Sequence, residues 1–308
     1  MTDAGKRLSP DRLALAGSIA GWVECLALQP LDNVKTRFQL QTAAGPSQSV
    51  AQGIRSLIAE GGVGRLYRGM LPELLAITPK SMAMYSSYEF ARRWFSNVFS
   101  SSGKPANGVL VAAAAGGVSG VPEAFVLTPF HVVKTRLQAK EHLGRYHNSW
   151  QCLSTVVKEE GVIALSNGFM ATACRNAMWN SVYFSSMFVL KANFNSPPPP
   201  ASADGGDHFN GPQALFTTLW TGFAGGVLAT CFNCPFDVIK SRVQADANLS
   251  QSAPQGVVQR LLEIQRLEGT RALWKGFNAK ALKMGLGGSV GMAAFEVTAS
   301  LLAPPVER

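Results

Sequence analysis

Apolar positions gather into six long stretches, near residues 12–38, 73–98, 109–137, 169–191, 214–243 and 277–302. None is an unbroken apolar run of about 20 residues, the length that spans a bilayer, so each is expected to be a helix lining something polar. Amphipathic stretches near 49–60, 148–159 and 255–267 fall inside successive pairs and predict short surface helices. The order long helix, surface helix, long helix therefore occurs three times.

Self-comparison gives the same period. PLDNVKTRFQ starts at Pro30, PFHVVKTRLQ at Pro129 and PFDVIKSRVQ at Pro235, at offsets of 99 and 106 residues. Pro, Lys, Arg and Gln match in all three copies. Ahead of each lies a small-xxx-small pair, Gly17 with Gly21, Gly116 with Gly120 and Gly222 with Gly226, a pattern that lets helix backbones approach closely in lipid. After each comes EGGVGRLYRG from Glu60, EGVIALSNG from Glu160 or EGTRALWKG from Glu268. The expected organisation is one domain over 1–308, with repeats 12–100, 107–193 and 213–303. Residues 194–212, rich in Pro, Ser and Gly, read as a flexible linker.

Composition fits this picture, with 47% hydrophobic residues and only 15% charged, against roughly 25% charged in an average soluble domain. The net charge of +9 suits nucleic acid, an anionic membrane surface or anionic substrates. No nucleic-acid-reading signature accompanies it, so a nucleic-acid partner is not expected. The five cysteines are odd in number and scattered, which argues against a disulfide framework. Cys231 and Cys234 lie in an apolar segment without a second ligand pair, so helix packing is expected there rather than a metal site. The N-terminal residues lack a signal core and carry Asp3 and Asp11, so any organelle address is expected to be internal. No Ser/His/Asp set or phosphate loop is present, and His131, His142, His147 and His208 share no spacing, so the chain is not expected to be an enzyme.

Each signature also places charge at a helix end. Asp32 with Lys35, Lys134, and Asp237 with Lys240 are candidates for a ring closing around a central axis, toward which the signature prolines would kink their helices. Ordinary i, i+3 pairs on solvated ends, worth a few tenths of a kcal/mol, would explain one copy; three copies after a proline favour the ring.

Matching the threefold P-x-(D/E)-x-x-(K/R)-x-(K/R)-x-Q motif except for His131 at the acid position of the second copy, the chain resembles the mitochondrial carrier family over nearly its whole length. The resemblance implies an all-α membrane protein: six tilted transmembrane helices in a three-repeat pseudo-threefold barrel, with three short matrix surface helices. It implies alternating access between two salt-bridge gates. The matrix gate would pair Asp32 with Lys134 and Asp237 with Lys35, leaving Lys240 opposite His131, with Gln39, Gln138 and Gln244 as braces. The cytoplasmic gate would pair Glu89 with Lys191 and Glu296 with Arg92, while Phe188 and Ala299 occupy the third pair's places. Family members also hold cardiolipin near the second feature; Ser166 and Asn167 replace the aromatic and base expected there in repeat two. No other cofactor is implied, and a monomer in the mitochondrial inner membrane is expected.

A mid-membrane anion site needs fixed cations. Arg175, Lys283 and Lys80 on the even-numbered long helices are the candidates, against the alternative that the lysines snorkel to an interface. Asn176 and Asn180, four residues apart, share a face and are candidates to bind an oxo or carboxylate oxygen. In the family, Arg175-Asn176, Lys283 and the neighbourhood of Lys80 and Met84 match the substrate contact points. R-N-x-x-W-N, AGWVECLALQPLDNVKTRFQLQ and the T-P-K before Ser81 look most like the oxodicarboxylate carriers, which exchange substrates such as 2-oxoadipate or 2-oxoglutarate. A citrate or other dicarboxylate carrier, a non-transporting membrane partner and a proton leak are the competing readings.

Overall fold

The computed structural model describes residues 10–41, 49–100, 107–142, 144–193, 212–246 and 256–302. Nine α-helices occur among them, and no strand. Six are long: α1 (Pro10–Leu40), α3 (Met70–Phe99), α4 (Gly108–Gln138), α6 (Phe169–Asn193), α7 (Pro212–Ala245) and α9 (Phe277–Leu302). Three are short: α2 (Val50–Gly61), α5 (Ser149–Glu160) and α8 (Val257–Glu268). The expected linker lies outside the described residues except Pro212, which already belongs to α7. The signature prolines Pro30, Pro129 and Pro235 sit inside α1, α4 and α7, and each helix runs on through its proline.

Burial departs from that of a water-soluble bundle, with many polar side chains inside and large apolar ones outside. Gln29, Asn33, Asn180 and Asn233 are buried, whereas Phe90 and Phe125 are each 75% exposed and Trp94 is 55% exposed. On α4 the exposed Leu110, Val118, Val121 and Phe125 recur at helical spacing while Ser119, Glu123 and Thr128 face inward. By length and composition α4 and the Trp220–Ala245 part of α7 are apolar enough to cross a membrane. Charged residues interrupt the others, Glu24, Asp32 and Lys35 in α1 among them.

Each repeat has its own small apolar core where the short helix docks on the signature end of the preceding long helix. Val34 and Phe38 pack with Leu57 and Leu66 in repeat one, Val133 and Leu137 with Cys152 and Val156 in repeat two, and Val238 and Ile239 with Ile264 and Leu273 in repeat three. Burying each aliphatic side chain contributes about 1.5–3 kcal/mol. Local sequence starts the short helices: Ser49 and Gln52 form a capping box for α2, and the Asn148 side chain accepts from Gln151 N at 2.8 Å to cap α5.

The second feature is a 3-10 turn closed by Gly69, Gly168 or Gly276, with φ of 79°, 76° and 84°. A side chain there would be strained, and at Gly69 and Gly276 its Cβ would lie 3.2 and 3.0 Å from the carbonyl oxygens of Lys134 and Lys35. These glycines therefore seat the starts of α3 and α9 against the lysine-bearing turns of a neighbouring repeat.

The signature arginines bind the glutamates of the second feature: Arg37 to Glu60, Arg136 to Glu160 and Arg242 to Glu268. Arg136 and Arg242 also reach into a neighbouring repeat, donating to the backbone oxygens of Gln244 at 3.4 Å and Gln39 at 3.1 Å. In repeat one Arg65 makes the corresponding link, donating to the backbone oxygens of Leu137 and Gln138, both at 3.0 Å. Alanines 164 and 272 occupy its place in the other repeats. Burial pushes the Arg65 guanidinium down to about 10, so it stays charged at neutral pH. Hydrogen bonds from a charged donor contribute about 1.5–3 kcal/mol; Arg65→Ala is accordingly expected to lower the unfolding temperature of the purified protein, and an unchanged temperature would remove Arg65 from that role.

Candidate functional site

The signature ends of α1, α4 and α7 converge on a buried network of charges. Asp32 Oδ2 lies 3.2 Å from Lys134 Nζ, and Asp237 Oδ2 lies 3.1 Å from Lys35 Nζ. These are the two pairings that the family resemblance implies. Lys240 is not left alone: its Nζ donates to His131 Nδ1.

Gln39, Gln138 and Gln244 work between repeats. Gln39 Oε1 accepts from Ser241 at 2.8 Å, Gln138 donates to Arg68 O at 3.3 Å, and Gln244 donates to Thr172 at 3.2 Å. Each glutamine thus ties its repeat to a neighbour rather than bracing a ring ion directly.

Three further residues crowd the network that the single signature had not indicated. Glu73 of α3 lies 3.0 Å from Lys134 and 3.4 Å from His131 Nε2. Lys280 of α9 lies 2.5 Å from Asp237 and donates to Asn233 at 2.6 Å. Thr172 accepts from Gln244. All three stand four residues after Gly69, Gly276 or Gly168, so aligning the second halves of the repeats exposes them as one set.

The substrate candidates divide. Arg175 and Lys283, expected as cations open to an anion, are engaged with gate carboxylates: Lys283 Nζ lies 2.8 Å from Asp32, and Arg175 Nη1 lies 3.6 Å from Asp237 Oδ1. The Arg175 contact is long and single, and Arg175 also donates to Asn176 Oδ1. Two buried donors on these neighbouring residues, Arg175 Nε and Asn176 Nδ2, find no acceptor among the described residues. Lys80 is half-buried on α3 with no ion pair among the described residues, and Met84 is half-buried one turn on.

Asn180, expected with Asn176 to bind an oxo or carboxylate oxygen, instead has its amide engaged by protein groups. It is 1% exposed, and its amide donates to Glu123 at 3.0 Å and to Ser119 at 3.4 Å. Its amide is used between α6 and α4. The cause is the close approach of these helices: a Cβ on Gly116 would lie 2.7 Å from Asn180 O. The small-residue pair of repeat one does not act alike, since a Cβ on Gly17 would meet nothing within 4 Å.

Glu123 and Glu24 each stand six residues before a signature proline, with Ala229 at that place in repeat three. Glu24 fills a notch on α9, where a Cβ on Gly287 would lie 2.7 Å from Oε1 and one on Gly291 3.1 Å from Oε2.

At the other end of the long helices Glu89 binds its own helix, 2.7 Å from Arg93 and 3.7 Å from Arg92. The expected partners Lys191 and Glu296 have side chains outside the described residues. An aromatic ladder joins α3 to α6 nearby: Tyr88 stacks on Phe184 at 4.1 Å, and Trp179 stacks on Tyr183 at 4.6 Å. Cys231 and Cys234 are free thiols, and the Cys231 carbonyl accepts from the Trp274 indole at 3.3 Å.

Comparison with known proteins finds the family described as mitochondrial carrier protein matching three times, over residues 6–99, 106–197 and 211–305. A probable mitochondrial 2-oxodicarboxylate carrier of Schizosaccharomyces pombe is 35% identical, over 91% of this chain and 90% of that protein. One of the same name from Dictyostelium discoideum is 32% identical, over 94% and 90%. A mitochondrial citrate transporter D of Aspergillus niger is also 32% identical, over 91% and 90%.

Proposed function

Because the chain belongs to the mitochondrial carrier family, we propose that it exchanges 2-oxodicarboxylates such as 2-oxoadipate or 2-oxoglutarate across the mitochondrial inner membrane by alternating access. The six long helices are its membrane spans and the three short ones lie at the matrix surface. The pattern of burial supports this reading: large apolar side chains outside and paired polar groups inside suit a helix bundle in lipid. Polar interruptions in four of the spans follow from lining a path rather than facing hydrocarbon.

The observation that carries the substrate reading is the pair of buried donors on Arg175 and Asn176 that lack an acceptor. Leaving such a donor unsatisfied costs about 1–3 kcal/mol, and a carboxylate or oxo oxygen satisfies it. Lys283 and Lys80 are within the same set, so one substrate carboxylate goes to Arg175 and the other to a lysine. A lysine is a point charge rather than a two-pronged donor, which tolerates chains of different length between the carboxylates.

The substrate would compete with Asp237 for Arg175 and with Asp32 for Lys283. That competition couples binding to the gate: closure around the anion on the cytoplasmic side offsets separation of Asp32 from Lys134 and of Asp237 from Lys35. Cardiolipin at the second feature and a monomeric state belong to the same proposal.

An uptake screen in liposomes across oxodicarboxylates, simple dicarboxylates, tricarboxylates, amino acids and nucleotides tests it. Saturable exchange of oxodicarboxylates is expected, weakened at least tenfold in apparent affinity by Lys283→Ala. A preference for citrate would move the chain to the tricarboxylate alternative; exchange of nothing in the panel would leave the non-transporting reading.

A further inference from the structure

Repeat two breaks the signature by carrying His131 where Asp32 and Asp237 stand in the others. We propose that the missing gate carboxylate has moved one helix over, to Glu73, and reaches Lys240 through the imidazole of His131. This inference rests on the gate described under the proposed function and gives that gate a third link.

The geometry assigns each atom a part. His131 is 9% exposed and sits between Glu73 and Lys240. Its Nε2 is 3.4 Å from Glu73 Oε2, and its Nδ1 is hydrogen-bonded to Lys240 Nζ. A neutral ring with its proton on Nε2 satisfies both contacts, donating to the carboxylate and accepting from the lysine. The carboxylate polarises the ring toward Lys240, so negative charge is relayed along the chain Glu73–His131–Lys240. Its members come from α3, α4 and α7, one from each repeat, as a ring requires.

Glu73 serves a second cation, Lys134, at 3.0 Å. Lys134 thereby sits between two carboxylates, Asp32 and Glu73, from the same repeat. Thr172 and Lys280 at the equivalent positions supply no acid, so the displacement is particular to the contact between repeats one and two. Without Glu73 the buried Lys240 and Lys134 would share only Asp32 and Asp237 with Lys35, Lys280, Lys283 and Arg175. Uncompensated buried charge of that kind is strongly destabilising.

Restoring the acid at its ordinary place is therefore not enough. His131→Glu in the otherwise unchanged chain sets a second carboxylate against Glu73, and like charges at that range oppose one another. Moving the acid requires both changes.

The experiment is a double-mutant cycle of Glu73→Gln and His131→Glu, read by thermal unfolding of the purified protein and by exchange in liposomes. Glu73→Gln is expected to lower the unfolding temperature by several degrees, and His131→Glu alone to lower it or leave it unchanged. The double variant is expected to return to within about a degree of the parent, well above the sum of the single effects. Should Glu73→Gln fail to fold, recovery of folded protein in the double variant is the same result. A double variant no better than Glu73→Gln, or a Glu73→Gln protein as stable as the parent, overturns the proposal. Absence of exchange by the parent would instead strike the carrier reading while leaving the stability cycle to judge the relocated acid.

Discussion

Arg175→Ala is expected to abolish oxodicarboxylate uptake by reconstituted protein while leaving the fold intact. The two halves of that expectation have separate causes. Arg175 supplies a guanidinium and shares with Asn176 the unsatisfied donors at the site. Each charged hydrogen bond lost is worth about 1.5–3 kcal/mol, or roughly 10- to 100-fold in affinity at tenfold per 1.4 kcal/mol. The fold should survive because Asp237 keeps Lys35 at 3.1 Å and Lys280 at 2.5 Å after its 3.6 Å contact with Arg175 is gone. Arg175→Lys should recover charge but not the two-pronged geometry, giving partial uptake. Retained exchange with unchanged affinity in Arg175→Ala would take Arg175 out of the site.

Gly120→Ala is expected to be more damaging than any other small-residue change on α1, α4 and α7. A methyl group there would lie 2.3 Å from Ala177 N and 2.7 Å from both Ala177 Cα and Asn176 C. All three are backbone atoms of α6, so relief requires the helix to move. Overpacking typically costs about 1–3 kcal/mol and occasionally more, and the displaced turn carries Arg175 and Asn176. Lower yield, a reduced unfolding temperature and loss of uptake should appear together. Gly17→Ala is the matched control, since its methyl would meet nothing within 4 Å. Equal behaviour of the two variants would contradict the packing of α4 on α6.

Gly17 and Gly120 stand in the same small-xxx-small pattern, and the difference between them is not written in the sequence. Periodicity placed all nine helices to within a few residues, because each long stretch is bounded by the signature or by the glycines of the second feature. Three copies of one motif made a ring of charges legible, and the resemblance to the carrier family supplied the pairings Asp32–Lys134 and Asp237–Lys35. Glu73 and Lys280 were not, because they differ in type between repeats and emerge only when the second halves are aligned. The partners of Asn180 were hidden for a related reason. Helical spacing puts it on the face of Asn176, but spacing within α6 does not show that Glu123 and Ser119 of α4 take up its amide. Pairing of the signature arginines with Glu60, Glu160 and Glu268 left a sequence trace, both residue types recurring in all three copies, yet spacing alone does not join them.

Among the described residues, six cations, Lys35, Lys134, Arg175, Lys240, Lys280 and Lys283, are linked in one network to three carboxylates, Asp32, Asp237 and Glu73. Such an imbalance casts a positive potential outward, so incoming anions are drawn in before they touch any side chain. Added salt, with a screening length of about 8 Å at physiological strength, then slows encounter and leaves the later helix movements untouched.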